Sequence, residues 1–115
     1  MIKRKGSYTP ERVDNMRAGD GFVTIERLLT PEELYEKGRF YAIMTLEHGS
    51  SIGYHVHEGE MESFYVIAGE AEYIDDGETV RLHPGDTTLT RSGEKHSIRS
   101  VGDVPLVVVA QILYK

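Results

Sequence analysis

Residues 70–82 read EAEYIDDGETVRL, which is two short runs of strand-forming residues on either side of Asp76-Gly77. An Asp-Gly pair supplies the positive φ angles that a two-residue hairpin turn requires. The stretch therefore predicts an antiparallel hairpin with strands at about 70–75 and 78–82. Outward from it, single glycines and Pro84-Gly85 punctuate further runs of Val, Ile, Tyr, Phe and Thr. These runs predict strands at about 22–29, 39–47, 51–57, 62–68, 86–91, 96–101 and 105–113.

Short antiparallel strands in this number favour an all-β sandwich or closed barrel, because closure hides one apolar face and limits exposed edges. One short helix is predicted over residues 31–37. Thr30 is its cap, Pro31 fits the first helical position, Glu33 completes a Thr-x-x-Glu capping box, and Gly38 can end it. We expect residues 1–38 to form an extension that packs on the barrel or on a dimer mate, and residues 39–115 to form the barrel.

Composition narrows the classes of partner. The chain has 115 residues, which suits one domain, and no cysteine, which leaves His, Asp and Glu for any metal chemistry. The net charge is −6, and the sequence from residue 41 onward holds 12 acidic residues against five basic ones. An acidic body disfavours nucleic acid as the partner. No apolar run is long enough to span a bilayer, so we expect no membrane association and a cytoplasmic location.

Chemistry is concentrated in residues 54–62, which read YHVHEGEME. On a strand, His55 and His57 project from the same face and can converge on one ion. Gly59 allows the chain to turn, so that Glu62 on the next strand can bring a carboxylate beside them. His96 opens a late strand that barrel closure could bring to the same place. Surface histidines and a solvated acidic loop explain these residues equally well, so the residues alone leave both interpretations open.

Two spacings resemble the conserved motifs of the cupin family. Gly49-x5-His55-x-His57-x4-Glu62-x6-Gly69 is similar to the first cupin motif at every fixed position. Gly85-x5-Arg91-x-Gly93-x2-His96-x3-Ser100 is similar to the second, with Arg91 where proline is usual and Ser100 where asparagine is usual. The chain therefore resembles a small single-domain cupin.

The resemblance implies a jelly-roll β-barrel that holds one divalent transition metal, commonly manganese, iron, nickel, copper or zinc. Its ligands would be the residues at the matching positions, His55, His57, Glu62 and His96. Cupins often dimerise, so the resemblance also implies a homodimer. Three imidazoles and one carboxylate suit a borderline divalent ion, and a six-coordinate ion would keep two positions for water or substrate.

Our leading functional hypothesis is a metal-dependent enzyme that acts on a small oxygen-rich molecule. The substrate would be an oxo- or dicarboxylic acid, as for oxalate-decarboxylase-like cupins, or a sugar derivative, and the reaction a decarboxylation, dioxygenation or isomerisation. Glu60 is the candidate general acid or base and Glu58 the second, against the simpler interpretation that both are solubilising charges. A non-catalytic metal- or ligand-binding module or sensor subunit is the alternative. A metal-free sugar epimerase using His and Tyr is the third possibility.

Other polar residues have two interpretations each. Arg91 is either a solvated turn residue or, if it faces the cavity mouth, a partner for an anionic substrate. Gln111 lines the pocket or points outward. Three tyrosines are either donors near the cavity or core residues: Tyr41, Tyr54 and Tyr65. Two further histidines lie in turn-like contexts and are predicted on the surface: His48 and His83.

Overall fold

A computed structural model describes all 115 residues as two antiparallel sheets that pack face to face. The strands are β1 (Glu11–Asp14), β2 (Phe22–Arg27), β3 (Gly38–Leu46), β4 (Ser51–Val56), β5 (Glu60–Ala68), β6 (Ala71–Asp75), β7 (Glu78–Leu82), β8 (Lys95–Ser100) and β9 (Leu106–Tyr114). One sheet has the order β1-β2-β3-β9-β5 and the other β4-β8-β6-β7. This arrangement confirms the predicted all-β, antiparallel jelly roll.

The core lies between the sheets because alternate residues of the long strands point inward. On β3 and β9 every second residue is buried, and Phe64 and Val66 continue the pattern on β5. Each fully buried Val, Leu or Phe side chain stabilises the fold by about 1.5–3 kcal/mol. Seven polar residues are buried as well, and the three among them whose side chains readily bind a metal decide where chemistry can occur: His57, Glu62 and His96.

The predicted helix at residues 31–37 is wrong, although its capping box forms. Thr30 Oγ1 accepts from the Glu33 amide at 3.1 Å, and Glu33 Oε1 accepts from the Thr30 amide at 2.8 Å. The chain then turns away, because Tyr35 and Glu36 take left-handed φ angles of 55° and 56° and β3 begins at Gly38. The connection between β2 and β3 therefore consists of turns and bends without a helix. The one helical element is a 3₁₀ turn at Met16–Ala18.

Two strand predictions also differ from the structure. β1 was not predicted, because its sequence, Glu-Arg-Val-Asp, is short, polar and largely exposed. Residues 86–91 do not form a named strand. They run beside β5 through isolated bridges, Glu62 to Thr90 and Tyr65 to Thr87. No helix here has the length and apolar character that crossing a bilayer requires.

Candidate metal centre

His55, on β4, and His57, just after it, point toward the barrel interior beyond a bulge in that strand. Ile52 pairs with Ile98 of β8 and His55 pairs with His96, but the register shifts between these two pairs. As a result Ile52 and His55 both line the interior although they are three positions apart. His57 follows at the next inward position and is 2% exposed. The predicted pairing of His55 with His57 on one face is therefore correct.

The four predicted ligand residues converge at one point. His57 Nε2 lies 3.1 Å from His55 Nε2, 3.1 Å from His96 Nε2 and 3.0 Å from Glu62 Oε1. His96 Nε2 lies 3.2 Å from His55 Nε2 and 3.0 Å from Glu62 Oε1. No two ligand atoms of the set are more than 4.8 Å apart. We call these four residues the tetrad.

Hydrogen bonds fix the tautomers of two of the rings. The Nδ1–H group of His55 donates to the Gly53 carbonyl oxygen at 2.6 Å, and the Nδ1–H group of His57 donates to Glu60 Oε1 at 2.9 Å. A carbonyl and a carboxylate oxygen only accept, so in each neutral ring the proton resides on Nδ1. When both rings are neutral, their Nε2 atoms present bare lone pairs to each other, and a proton added at His57 Nε2 is donated to Glu62 Oε1.

Such a cluster fits a divalent cation. A proton on His57 would offset the repulsion between only one pair of atoms, whereas four electron-rich atoms converge here. Neighbouring ligands of a six-coordinate ion with bonds of about 2.1–2.2 Å lie about 3.0–3.1 Å apart, which is the spacing observed. The tetrad thus has both the donor set and the separation that a borderline divalent metal needs.

The electrostatics of the rings and the carboxylate agree with that use. Burial lowers the pKa of His55 to about 4, which keeps its ring neutral and able to bind metal at pH 7. Glu62 and Glu60 raise the pKa of His57, so its Nε2 attracts positive charge. Burial opposes ionisation of Glu62, yet hydrogen bonds with His57 and His96 hold the pKa of its carboxyl below the usual value.

His96 is held by three neighbours that the sequence did not single out. Its Nδ1 lies 2.7 Å from the Tyr73 hydroxyl and 2.9 Å from Thr90 Oγ1. Phe64 stacks on the ring with 5.4 Å between ring centroids and an interplanar angle of 6°. Tyr73 is buried, and burial raises the pKa of its hydroxyl. Metal-binding histidines are usually oriented through the second ring nitrogen in this way.

Glu60, the candidate acid or base, is held by two partners. Arg39 donates to both of its carboxylate oxygens at 2.8 Å, and His57 donates to Oε1. Arg39 stands on β3 where the register against β9 shifts, between Gly38 and Phe40. Arg39 and His57 lower the pKa of Glu60 to about 2. The Glu60 carboxylate is therefore ionised and orients the His57 ring, whereas Glu58 is exposed on the loop.

A cavity of about 70 Å³ opens above the tetrad. Its lining residues outside the tetrad are Met16, Arg17, Arg39, Phe40, Met44, Ile52 and Ile112. Met16 and Arg17 come from the 3₁₀ turn, and no motif in the sequence indicates that this segment lies at the site. A cluster of turn-forming residues around that position, Asn15, Gly19, Asp20 and Gly21, is the only local signal of an irregular segment.

The remaining side chains lie elsewhere. Tyr54 and Tyr65 are about half exposed, and neither they nor Tyr41 line the cavity. Gln111 alternates with buried Ala110 and Ile112 and points outward. Arg91 lies in a separate surface groove beside Ser92 and Lys115. Two histidines are exposed, as predicted: His48 and His83.

Comparison with known proteins gives consistent results. The family model described as "Cupin domain" matches residues 42–112. A curated protein of Thermotoga maritima, described as an oxalate-binding protein, is 43% identical over 113 residues, which are 98% of this chain and 93% of that protein. A crystal structure described as a predicted oxalate decarboxylase from T. maritima superposes with a TM-score of 0.97, at 43% identity, over the whole of both chains. KdgF from Halomonas sp. shares the fold at a TM-score of 0.79 and 16% identity, covering all of this chain and 94% of that one.

Proposed function

This chain belongs to the cupin domain family, and on that premise we propose that it binds a small dicarboxylate of the size of oxalate through a divalent metal ion held by the tetrad. The observation that carries the proposal is the approach of the His55 and His57 Nε2 atoms to 3.1 Å, with both Nδ1 protons engaged elsewhere. The relative described as oxalate-binding supports the choice of ligand.

A divalent ion bound here would supply positive charge and open coordination positions for carboxylate oxygens. The chain's own residues do the rest. Glu60 and the Gly53 carbonyl oxygen orient the His57 and His55 rings, and Tyr73 and Thr90 orient His96. Apolar side chains wall the cavity and reduce the access of water.

The size of the cavity favours a small ligand over a sugar. One water occupies about 10–15 Å³ of such a cavity, so a cavity of about 70 Å³ accommodates roughly five to seven water-sized groups. Oxalate is of that size, whereas a hexose has about twice as many non-hydrogen atoms. The metal-free epimerase hypothesis also gives no reason for four ligand atoms, from three imidazoles and one carboxylate, to converge within 4.8 Å of one another.

Binding is better supported than turnover. The ionisable lining residues outside the tetrad are Arg17 and Arg39. Guanidinium groups stay protonated and donate hydrogen bonds, so they stabilise an anion but do not exchange protons with it. Conversion of oxalate to formate and carbon dioxide requires a proton at carbon. Glu60, bound to Arg39 and His57, is poorly placed to deliver one.

Calorimetry tests the proposal directly. The manganese-loaded protein is expected to bind about one oxalate per chain, and the chelator-treated protein to bind none. Glu62→Gln should lose both metal and oxalate, while Glu58→Ala, a change at an exposed neighbour, should keep both. Oxalate binding of equal affinity without metal would refute the proposal. Formate production by the manganese-loaded wild-type protein would instead establish the enzyme hypothesis.

Several expectations remain predictions: manganese as the ion, a homodimer, a cytoplasmic location, and the division at residue 38 into an extension and a barrel.

A further inference from the structure

The 3₁₀ turn at Met16–Ala18 is a strained segment that contributes Met16 and Arg17 to the lining of the cavity. Asn15, Arg17 and Ala18 all take left-handed φ angles, between 49° and 61°. For residues other than glycine such backbone costs energy and persists where the surroundings fix it, often at binding sites. Two features of the turn bear on this strain: its contacts with β4 and the position of the Arg17 side chain.

Contacts with β4 hold this turn in place. The Ser51 amide donates to the Asp20 carbonyl at 2.9 Å, and the Asp20 amide donates to Ser51 Oγ at 2.9 Å. Gly19 packs against the Ser51 carbonyl and Gly53 against the Arg17 carbonyl so closely that a Cβ at either glycine would overlap backbone atoms. The backbone of Arg17 is thus tied to the strand that carries His55.

Arg17 differs from most other arginines of the chain because no carboxylate pairs with it. Five arginines form ion pairs with carboxylates: Arg12, Arg27, Arg39, Arg81 and Arg99. Arg17 forms none, although it lines the same cavity as His55, His57 and Glu62. Arg39 also lines the cavity, but two of its donors are occupied by Glu60.

The charges around the cavity are therefore unbalanced when a metal is bound. A divalent ion exceeds the charge of Glu62 by one, Arg39 and Glu60 cancel, and Arg17 adds one more positive charge. A dianion balances these two charges, and a monoanion balances only one.

We propose that Arg17 selects dianions at this site, by donating to the carboxylate that lies away from the tetrad when a short dicarboxylate binds. The inference rests on the proposed function, since it assumes that the tetrad holds a metal and that a carboxylate enters the cavity. It assigns specificity to the segment before β2, which lies outside the residues matched by the family model.

Oxalate and oxamate provide the test, because oxamate has nearly the same shape and one charge less. Calorimetry compares both ligands on manganese-loaded wild type, Arg17→Gln and Arg91→Gln. Arg91→Gln makes the same charge change in a different surface groove. Arg17→Gln should weaken oxalate binding about 10- to 100-fold, as expected for a lost charge-assisted pair, and oxamate binding less than about threefold.

Metal affinity, measured by titration with a fluorescent chelator, should be the same in all three proteins, and Arg17→Lys should recover part of the oxalate affinity. Arg17→Gln that binds oxalate as tightly as wild type would overturn the inference and leave the proposed function intact. Equal losses for oxalate and oxamate would also overturn it. Wild-type protein that binds neither ligand would overturn the proposed function, and this inference with it.

Discussion

Replacing Glu60 with alanine should weaken metal binding without removing a ligand. The Glu60 carboxylate accepts from His57 Nδ1 at 2.9 Å, and its side chain is only 13% exposed, so water compensates poorly for its loss. Loss of such a hydrogen-bond partner of a metal-binding histidine typically costs 10- to 100-fold in affinity. We therefore expect Glu60→Ala to bind metal about 10- to 100-fold more weakly, which corresponds to about 1.4–2.8 kcal/mol.

Competition with a fluorescent chelator for Zn²⁺ measures this change. Glu58→Ala is the matched control, because Glu58 is acidic, two residues away and exposed. Its affinity should stay within about twofold of wild type. Glu60→Gln should be intermediate, since an amide oxygen still accepts from His57 but carries no charge. Circular dichroism confirms that each variant is folded.

Metal affinity in Glu60→Ala equal to that of Glu58→Ala would refute this reasoning. A general acid or base role for Glu60 predicts a different pattern, in which Glu60→Gln keeps full metal affinity and loses only turnover.

Three further outcomes follow from the same contacts. Tyr73→Phe should lower the free energy of unfolding by about 1 kcal/mol, because a buried hydroxyl contact with His96 is lost, as chemical denaturation would reveal; an unchanged midpoint would argue against that contact. Gly19→Ala should cost about 1–3 kcal/mol by forcing the Met16–Ala18 turn away from Ser51, and should weaken oxalate binding while sparing metal binding; wild-type oxalate affinity would contradict this. In the metal-free protein Arg39 and His57 lower the pKa of Glu60 from its ordinary value of 4.5 to about 2. The ionised carboxylate therefore stabilises the fold fully above about pH 4.5, and this stabilisation is lost as the pH falls toward 2. Arg39→Met should therefore be less stable than wild type at about pH 5 by a margin that shrinks at about pH 3, and a margin that is constant with pH would exclude the linkage.

The sequence predicted the tetrad but not how it is held. Strand alternation placed His55 and His57 on one face, and the turn at Gly59 allowed Glu62 to join them. No local pattern connects His96 to these residues, and only the resemblance to cupins indicated all four together. The β4 bulge lies beyond sequence reasoning, because nothing in the spacing shows that Ile52 and His55 share a face. Likewise nothing in the spacing shows that Arg39 of β3 reaches Glu60 of β5, because β9 lies between these two strands in the sheet.

The failed predictions have tertiary causes. The capping box at Thr30 formed as the sequence indicated, but the short connection to β3 required left-handed residues where the helix would have continued. The Met16–Ala18 turn is too short and irregular for any periodic pattern to predict. This turn lines the cavity because its backbone packs closely against Gly53, a tertiary contact that no local sequence pattern indicates.

Anomalous diffraction from crystals of the manganese-loaded protein would test the assignment of the tetrad most directly. The account predicts one strong peak per chain, within about 2.0–2.4 Å of Nε2 of His55, His57 and His96 and of a Glu62 carboxylate oxygen. A peak bound by other residues would contradict this assignment. So would crystals saturated with manganese that show no peak between the three imidazole nitrogens.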